Sequence, residues 1–240
     1  MPVDPQENRD ALGRNLTYGL LDRLGSQIVG GTWTGRSFPT EMELSQQHGV
    51  SRSVTREAVK MLTAKGLVTA RPRQGTSILP VSQWNLFDTD VLRWMLERRF
   101  SIDLLRQFSQ LRVAIEPAAA ALAAQAASEE GRALIEAGFA RMQAAEAGQD
   151  DVLEADVAFH VAILKASGNP FFGQFRDVVS TALKTSIHYT NRIVGRSADL
   201  DAHEGVMRAI LARDPHLARA RMEKIIVDVL GAIHHNESAG

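Results

Sequence analysis

Phe38-Pro39-Thr40-Glu41-Met42-Glu43-Leu44 and, six residues on, Val50-Ser51-Arg52-Ser53-Val54-Thr55-Arg56-Glu57-Ala58 decide the fold of the first third of this 240-residue chain. Thr40 with Glu43 three residues later makes a capping box, which predicts a short helix through about His48. Gly49-Val50 predicts a tight turn, and Ser51 opens a second helix to about Lys65, with Val54, Ala58, Val59 and Leu62 as its inward stripe. Gly66 suits a left-handed C-cap. Upstream, Leu16, Leu20, Leu21, Leu24, Ile28 and Val29 recur at helical spacing until Gly30-Gly31 ends the run. Downstream, Leu67–Ala70 and Thr76–Leu79 read as short strands joined by Arg71-Pro72-Arg73-Gln74-Gly75. Helix, helix, tight turn, helix and a two-stranded wing make a winged helix-turn-helix.

That order suits double-stranded DNA. The second helix of the turn pair enters the major groove, and its N-terminal residues meet base edges and phosphates. Here those residues are Ser51, Arg52, Ser53, Thr55 and Arg56, short hydroxyls with two arginines. Arginine can pair bidentately with guanine. In the wing, Arg71 and Arg73 lie beside Gly75, where the lack of a Cβ allows close approach to a phosphate.

The net charge of −1 speaks against nucleic acid only as an average. Residues 1–80 hold 10 Lys and Arg against 7 Asp and Glu, while residues 81–240 hold 17 against 21. A basic reader is therefore joined to an acidic second half, and phosphate neutralisation needs only the local surface. With no cysteine, disulfides, cysteine zinc sites, iron–sulfur clusters and thiol nucleophiles are excluded. No apolar run is long enough for a membrane span, and the polar MPVDPQENRD start lacks the apolar core of a signal peptide. A cytoplasmic protein without membrane association is expected.

The quoted motifs, with Leu62 through Gly66-Leu67-Val68 and then Gly75-Thr76, resemble the N-terminal domain of GntR-type bacterial regulators over about residues 12–80. The resemblance implies that Arg52 reads bases, while Arg56, Thr40 and the wing residues Arg71, Arg73, Gln74 and Gly75 hold phosphates. The family often carries Arg where this chain has Met42; Arg36, just upstream, is the candidate to supply that charge.

After Pro80 the chain is almost free of strand signals. Asp88 to Phe100 reads as an amphipathic linker helix with Leu92, Met95 and Leu96 apolar. Ser101 and Asp103 cap a longer helix, in which residues 114–127 hold nine alanines and Pro117 marks a kink or a restart. Further helices are expected around 129–147, 150–166, 170–194, 200–212 and 215–234, with Pro170 and Pro215 in first-turn positions after Asn169 and Asp214. The fold class is mainly α, a winged helix-turn-helix followed by an all-α antiparallel bundle of six or seven helices. The expected domains are residues 1–80 for DNA binding, 81–100 as linker helix, and 101–240 for effector binding and dimerisation.

Asp156 and His160, four apart, project from one helix face, a spacing that suits two ligands of one metal ion or an intrahelical ion pair. His203 lies on a later helix and is structural if taken alone. The second half also resembles the all-helical ligand-binding (FCD) domain of the FadR branch of that family, whose effector site holds a metal. That resemblance assigns Asp156, His160 and His203 as ligands of a divalent ion such as zinc. The expected fourth position, 22 residues after His203, is Ile225. Two readings stay open: a metal with more positions for water and a chelating effector, or a metal-free site in which the same residues bond the effector. His188 is a possible substitute ligand. Arg112, in a segment like the family's Arg-x-x-x-Glu stretch, would grip an effector carboxylate or pair with Glu116. Asn169 is either beside the effector or simply a helix cap.

Gln83-Trp84-Asn85-Leu86-Phe87-Asp88-Thr89-Asp90-Val91-Leu92-Arg93-Trp94 resembles the linker of galactonate-responsive repressors within that branch, or else packs two domains together. The expectation is a homodimeric regulator, not an enzyme. It would bind a palindromic operator, repress sugar-acid metabolism, and leave DNA when a carboxylate such as an aldonate binds. The alternative is a metal-dependent enzyme of sugar-acid metabolism with a DNA-binding appendage.

Overall fold

The computed structural model describes residues 5–71, 75–98, 101–184 and 199–237. The chain forms two compact units, Met1–Phe100 and Ser101–Gly240. Among the described residues no helix is long and apolar enough to cross a membrane.

The first unit is a winged helix-turn-helix. Helix α1 (Pro5–Val29) buries Leu20, Leu21, Leu24, Ile28 and Val29, whereas Leu16 at the head of that apolar run is 47% exposed. Helix α2 (Glu41–His48) starts at Thr40, whose side chain accepts from the Glu43 N–H while Glu43 accepts from the Thr40 N–H, the expected capping box. It ends at Gly49 with φ 63°, and helix α3 (Arg52–Ala64) follows from Ser51, whose hydroxyl accepts from the Val54 N–H. Strands β1 (Val68–Arg71) and β2 (Gly75–Ile78) pair antiparallel with Val68 opposite Ile78 and Arg71 opposite Gly75. Each strand is displaced by one residue from the sequence expectation; the Leu79 N–H, just beyond β2, donates instead to the Leu67 carbonyl. At Gly66, φ is +74° and a Cβ would lie 2.6 Å from the Gln83 carbonyl oxygen, so handedness and space both demand glycine.

Helix α4 (Thr89–Arg98), the core of the expected linker helix, packs against α1 within this unit. Trp94 is almost fully buried and its indole N–H donates to Asp22 Oδ1 at 2.8 Å. The ring lies where a Cβ of residue 25 would be, and Gly25 leaves that room. Lys65, at the C-cap of α3, donates to Asp88 and Asp90 at 2.8 Å each, which joins the end of α3 to the start of α4. Burial works against the Lys65 charge, but the two carboxylates outweigh it and raise its pKa.

The second unit is all helical: α5 (Ile102–Ala126), α6 (Glu129–Glu146), α7 (Val152–Ala166), α8 (Pro170–Gln174), α9 over residues 176–184, α10 (Leu200–Leu211) and α11 (Pro215–Glu237). Pro117 lies inside a continuous α5, so it marks no restart. Alanines 119, 120, 121, 123 and 124 are buried, and α11 packs along α5 with Ala218, Met222 and Ile226 in the core. Small residues also let α6 and α7 meet closely. A Cβ built at Gly131 would be 3.3 Å from the Ala166 Cβ, and one at Gly138 would be 3.0 Å from the Phe159 Cα. The single helix expected over 170–194 is instead broken at Phe175, where α8 ends; residues 185–194 lie outside the described residues.

Candidate functional site

The first face is built on the start of α3. Ser51, Arg52, Ser53 and Arg56 are exposed there, and so are Arg36, Thr40, Arg71 and Gly75. Arg36, Thr40, Arg71 and Gly75 also line one open groove of about 1230 Å³, together with Trp33, Ser37 and Ser77. The Arg56 Nε lies 3.5 Å from Glu41 Oε2, both side chains well exposed. Such a surface pair contributes at most about 1 kcal/mol, so a phosphate can draw Arg56 away. The Thr40 hydroxyl donates to Glu43 at 2.8 Å. Arg73 and Gln74 lie outside the described residues.

Thr55 does not belong to this face. It is fully buried and its hydroxyl donates to the Ser51 carbonyl at 3.2 Å. The inward stripe of α3 is Thr55, Ala58, Val59 and Leu62, while Val54, expected inside, is only half-buried. Both 54 and 55 lie within one helical turn of Ala58, so the 3.6-residue period admits either residue.

The second site lies among α5, α7 and α10. Asp156 and His160 project from α7 and His203 from α10, all three buried, with one ligand atom from each lying within 4.8 Å of the others. His203 Nε2 is 3.2 Å and His160 Nε2 3.7 Å from the same Asp156 Oδ1. Phe159 packs edge-on against both rings, with centroids 5.9 Å from His160 and 5.3 Å from His203.

The two imidazoles are committed on their other nitrogen. His203 Nδ1–H donates to the Asp199 carbonyl at 2.6 Å, the residue whose side chain also caps α10. His160 Nδ1–H donates to Glu116 Oε2 at 2.5 Å. Both Nε2 atoms thereby face Asp156, and His203 Nε2, 3.2 Å from Oδ1, has no aligned hydrogen-bond partner. A carboxylate oxygen with two imidazole Nε2 atoms, one of them unsatisfied in a buried site, is a donor set that fits a divalent ion such as zinc once both nitrogens are unprotonated. Metal-bound histidines characteristically carry such an acceptor behind the ring.

Charges are distributed to match. Burial would raise the Glu116 carboxyl, yet the Arg112 guanidinium and His160 hold it at about 2. Burial likewise opposes ionisation of Asp156, and His160 and His203 overcome it and lower its pKa. Burial pushes His203 down, but Asp156 prevails and raises it, so without an ion the pair favours a proton that a bound metal would displace.

Arg112 is buried and donates to Glu116 through Nε at 2.5 Å and NH2 at 3.4 Å, so of its two expected roles the intrahelical pair is the one formed. Asn169 is the N-cap of α8, accepting from the Phe171 N–H; no bond joins it to the cluster among the described residues. Ile225 is a buried apolar residue of α11, and His188 lies outside the described residues. Sequence reading missed Glu116 as a partner of His160, Asp199 as a partner of His203, and Phe159 packed against both rings. Only Asp199 had a local signal, four residues before His203 and opening its helix.

Comparison with known proteins agrees with both halves. The family model "Bacterial regulatory proteins, gntR family" matches residues 17–78, and the FCD domain model matches residues 107–228. The HTH-type transcriptional regulator YieP of Escherichia coli (strain K12) is 35% identical over 217 residues, 89% of this chain and 93% of that protein. The galactonate operon transcriptional repressor of the same organism is 33% identical over 205 residues, 83% of this chain and 89% of its own length. A solved Streptococcus agalactiae GntR chain aligns with 89% of this chain and 98% of its own at 25% identity and a TM-score of 0.45. The winged helix-turn-helix and the helical second unit thus carry the sequence of a DNA-binding transcriptional regulator, and the chain belongs to the gntR family with an FCD domain.

Proposed function

We propose that this regulator represses genes of sugar-acid metabolism and leaves its operator when a carboxylate such as an aldonate binds in the helical unit. The observation that carries the reading is the convergence of Asp156, His160 and His203 in one buried site with both Nε2 atoms facing Asp156. The 33% identity to a galactonate operon repressor supports the effector class. Asp156, His160 and His203 would hold a divalent ion. The ion supplies positive charge and open positions for the carboxylate and hydroxyl oxygens of a hydroxy acid. The chain's residues orient it, exclude water and keep the remaining charge paired.

On DNA, the exposed Arg52 reads a base edge, and Arg56, Arg36, Arg71 and the wing hold phosphates. Two copies forming a homodimer would set two α3 helices one helical turn of DNA apart on a palindromic operator. The effector acts by binding the DNA-free arrangement more tightly than the bound one, the only way a ligand can shift that equilibrium.

The test is a thermal-shift screen of sugar acids with and without zinc on the full chain. A ligand specific to the folded state raises the midpoint with concentration. A midpoint rise with an aldonate that grows with zinc is expected. Equal indifference to every sugar acid in both conditions would refute the effector assignment.

A further inference from the structure

We infer that Glu116 is the positioning residue of the helical site: anchored by Arg112, its carboxylate fixes which nitrogen of His160 carries the proton and thereby aims the other at Asp156 and His203. This rests on the reading that the three residues hold a divalent cation, and it reassigns the Arg112–Glu116 pair from reading an effector to organising the site.

The two oxygens of Glu116 have different main partners, with Arg112 NH2 also reaching Oε2 at 3.4 Å. Oε1 accepts from Arg112 Nε at 2.5 Å, and Oε2 accepts from His160 Nδ1 at 2.5 Å. With the other tautomer, a bare Nδ1 lone pair would face an anionic oxygen at that distance, so the proton stays on Nδ1. The Arg112 NH2 lies 3.5 Å from the same Nδ1, too far to displace the shorter bond. Glu116 and Arg112 are 1% and 4% exposed, and α5 carries both one turn apart. Swinging Arg112 away to grip a soluble carboxylate would leave the buried Glu116 charge with His160 Nδ1 alone and no guanidinium to balance it, which proteins tolerate poorly.

The counterpart on the other ring differs in kind. His203 is oriented by a backbone carbonyl, that of Asp199, which no side-chain substitution removes. His160 depends on a side chain 44 residues away, so its orientation can be switched off by a single substitution. Removal of a carboxylate behind a metal-bound histidine weakens metal binding by about 10–100-fold.

The experiment pairs two readouts on the full chain. Nitrogen-15 NMR of the imidazoles in chelator-treated protein reports the His160 tautomer, and titration with zinc(II) alone against a competing chelator reports affinity. Wild type is expected to show His160 protonated on Nδ1. Glu116→Leu should lose about 10–100-fold in zinc affinity and show mixed tautomers, and Glu116→Gln, which keeps an acceptor oxygen, should recover most of the loss. Should Glu116→Leu misfold, Arg112→Met/Glu116→Leu removes both charges together, a replacement that buried pairs usually tolerate, and should show the same zinc defect. Wild-type zinc affinity in a folded Glu116→Leu or double variant, or His160 protonated on Nε2 in wild type, overturns the inference. Absence of zinc binding by wild type overturns the metal reading instead, while the metal-free tautomer still judges the role of Glu116 on its own.

Discussion

Replacing Gly25 by Ala tests the packing that holds α4 to the DNA reader. On an exposed helix this change would stabilise by about 0.8–1.0 kcal/mol through helix propensity. Here the new Cβ would lie 2.3, 2.3 and 2.6 Å from three atoms of the Trp94 ring, far inside the contact distance of about 3.5–4.0 Å. The ring has nowhere to go: it is 1% exposed and its N–H is tied to Asp22 Oδ1 at 2.8 Å. Overpacking of this kind costs about 1–3 kcal/mol, and the upper end applies when neither side can yield. The net expectation is a loss of about 2 kcal/mol, or a fall of about 8–16 °C in the midpoint of a domain of this size. Trp33, Trp84 and Trp94 all lie in the first unit, so tryptophan fluorescence during urea unfolding follows that unit selectively. In a Trp94→Leu background the same substitution should lose its cost and return the helix-propensity gain, a coupling of about 3 kcal/mol. Stabilisation by Gly25→Ala in the presence of Trp94 would refute the close approach.

Other consequences are equally direct. Thr55→Val, in a buried side chain whose hydroxyl is spent on Ser51, should leave DNA affinity unchanged, whereas Arg52→Ala should weaken it by about 1–3 kcal/mol and relax base preference; fluorescence anisotropy on duplexes selected from a random pool compares the two. The Arg93 and Trp94 hydrogen bonds hold the Asp22 carboxyl below its ordinary value. Its stabilising contribution is therefore complete above about pH 4, the range of a free aspartate, and fades as pH falls through the lowered value. Asp22→Asn should flatten that acid limb in tryptophan-monitored unfolding, and an unchanged limb would deny the pairing. Gly138→Ala should push α7 away at Phe159, the neighbour of His160, and so weaken zinc(II) binding in a chelator competition, while Gly173→Ala, with open space around its Cβ, should not.

What the sequence revealed follows the range of the interactions. The capping box at Thr40 and Glu43, the Ser51 cap and the glycine turns are bonds across three or four residues, and the pattern that creates them is printed in the chain. The side of α3 that faces inward was misread at one position, because Val54 and Thr55 are both compatible with the phase set by Ala58 and Leu62, and only the elements packed against α3 decide between them. Asp156, His160 and His203 were legible through spacing and family likeness. Their orientation was not, since the contact from Glu116 to His160 spans 44 residues and no local rule specifies it. The same holds for Trp94 lying over Gly25, where a glycine in the middle of a helix looks unfavourable until its neighbour is known.

Under the proposed function the buried helical site controls DNA binding. Its most direct test measures operator affinity by anisotropy while an aldonate is added, for wild type and for Asp156→Ala/His203→Ala, with zinc present. Wild type is expected to lose affinity by a factor of about 5–150, the usual range of such coupling, and the variant to stay bound at every aldonate concentration. Release of the variant at the wild-type concentration would contradict it.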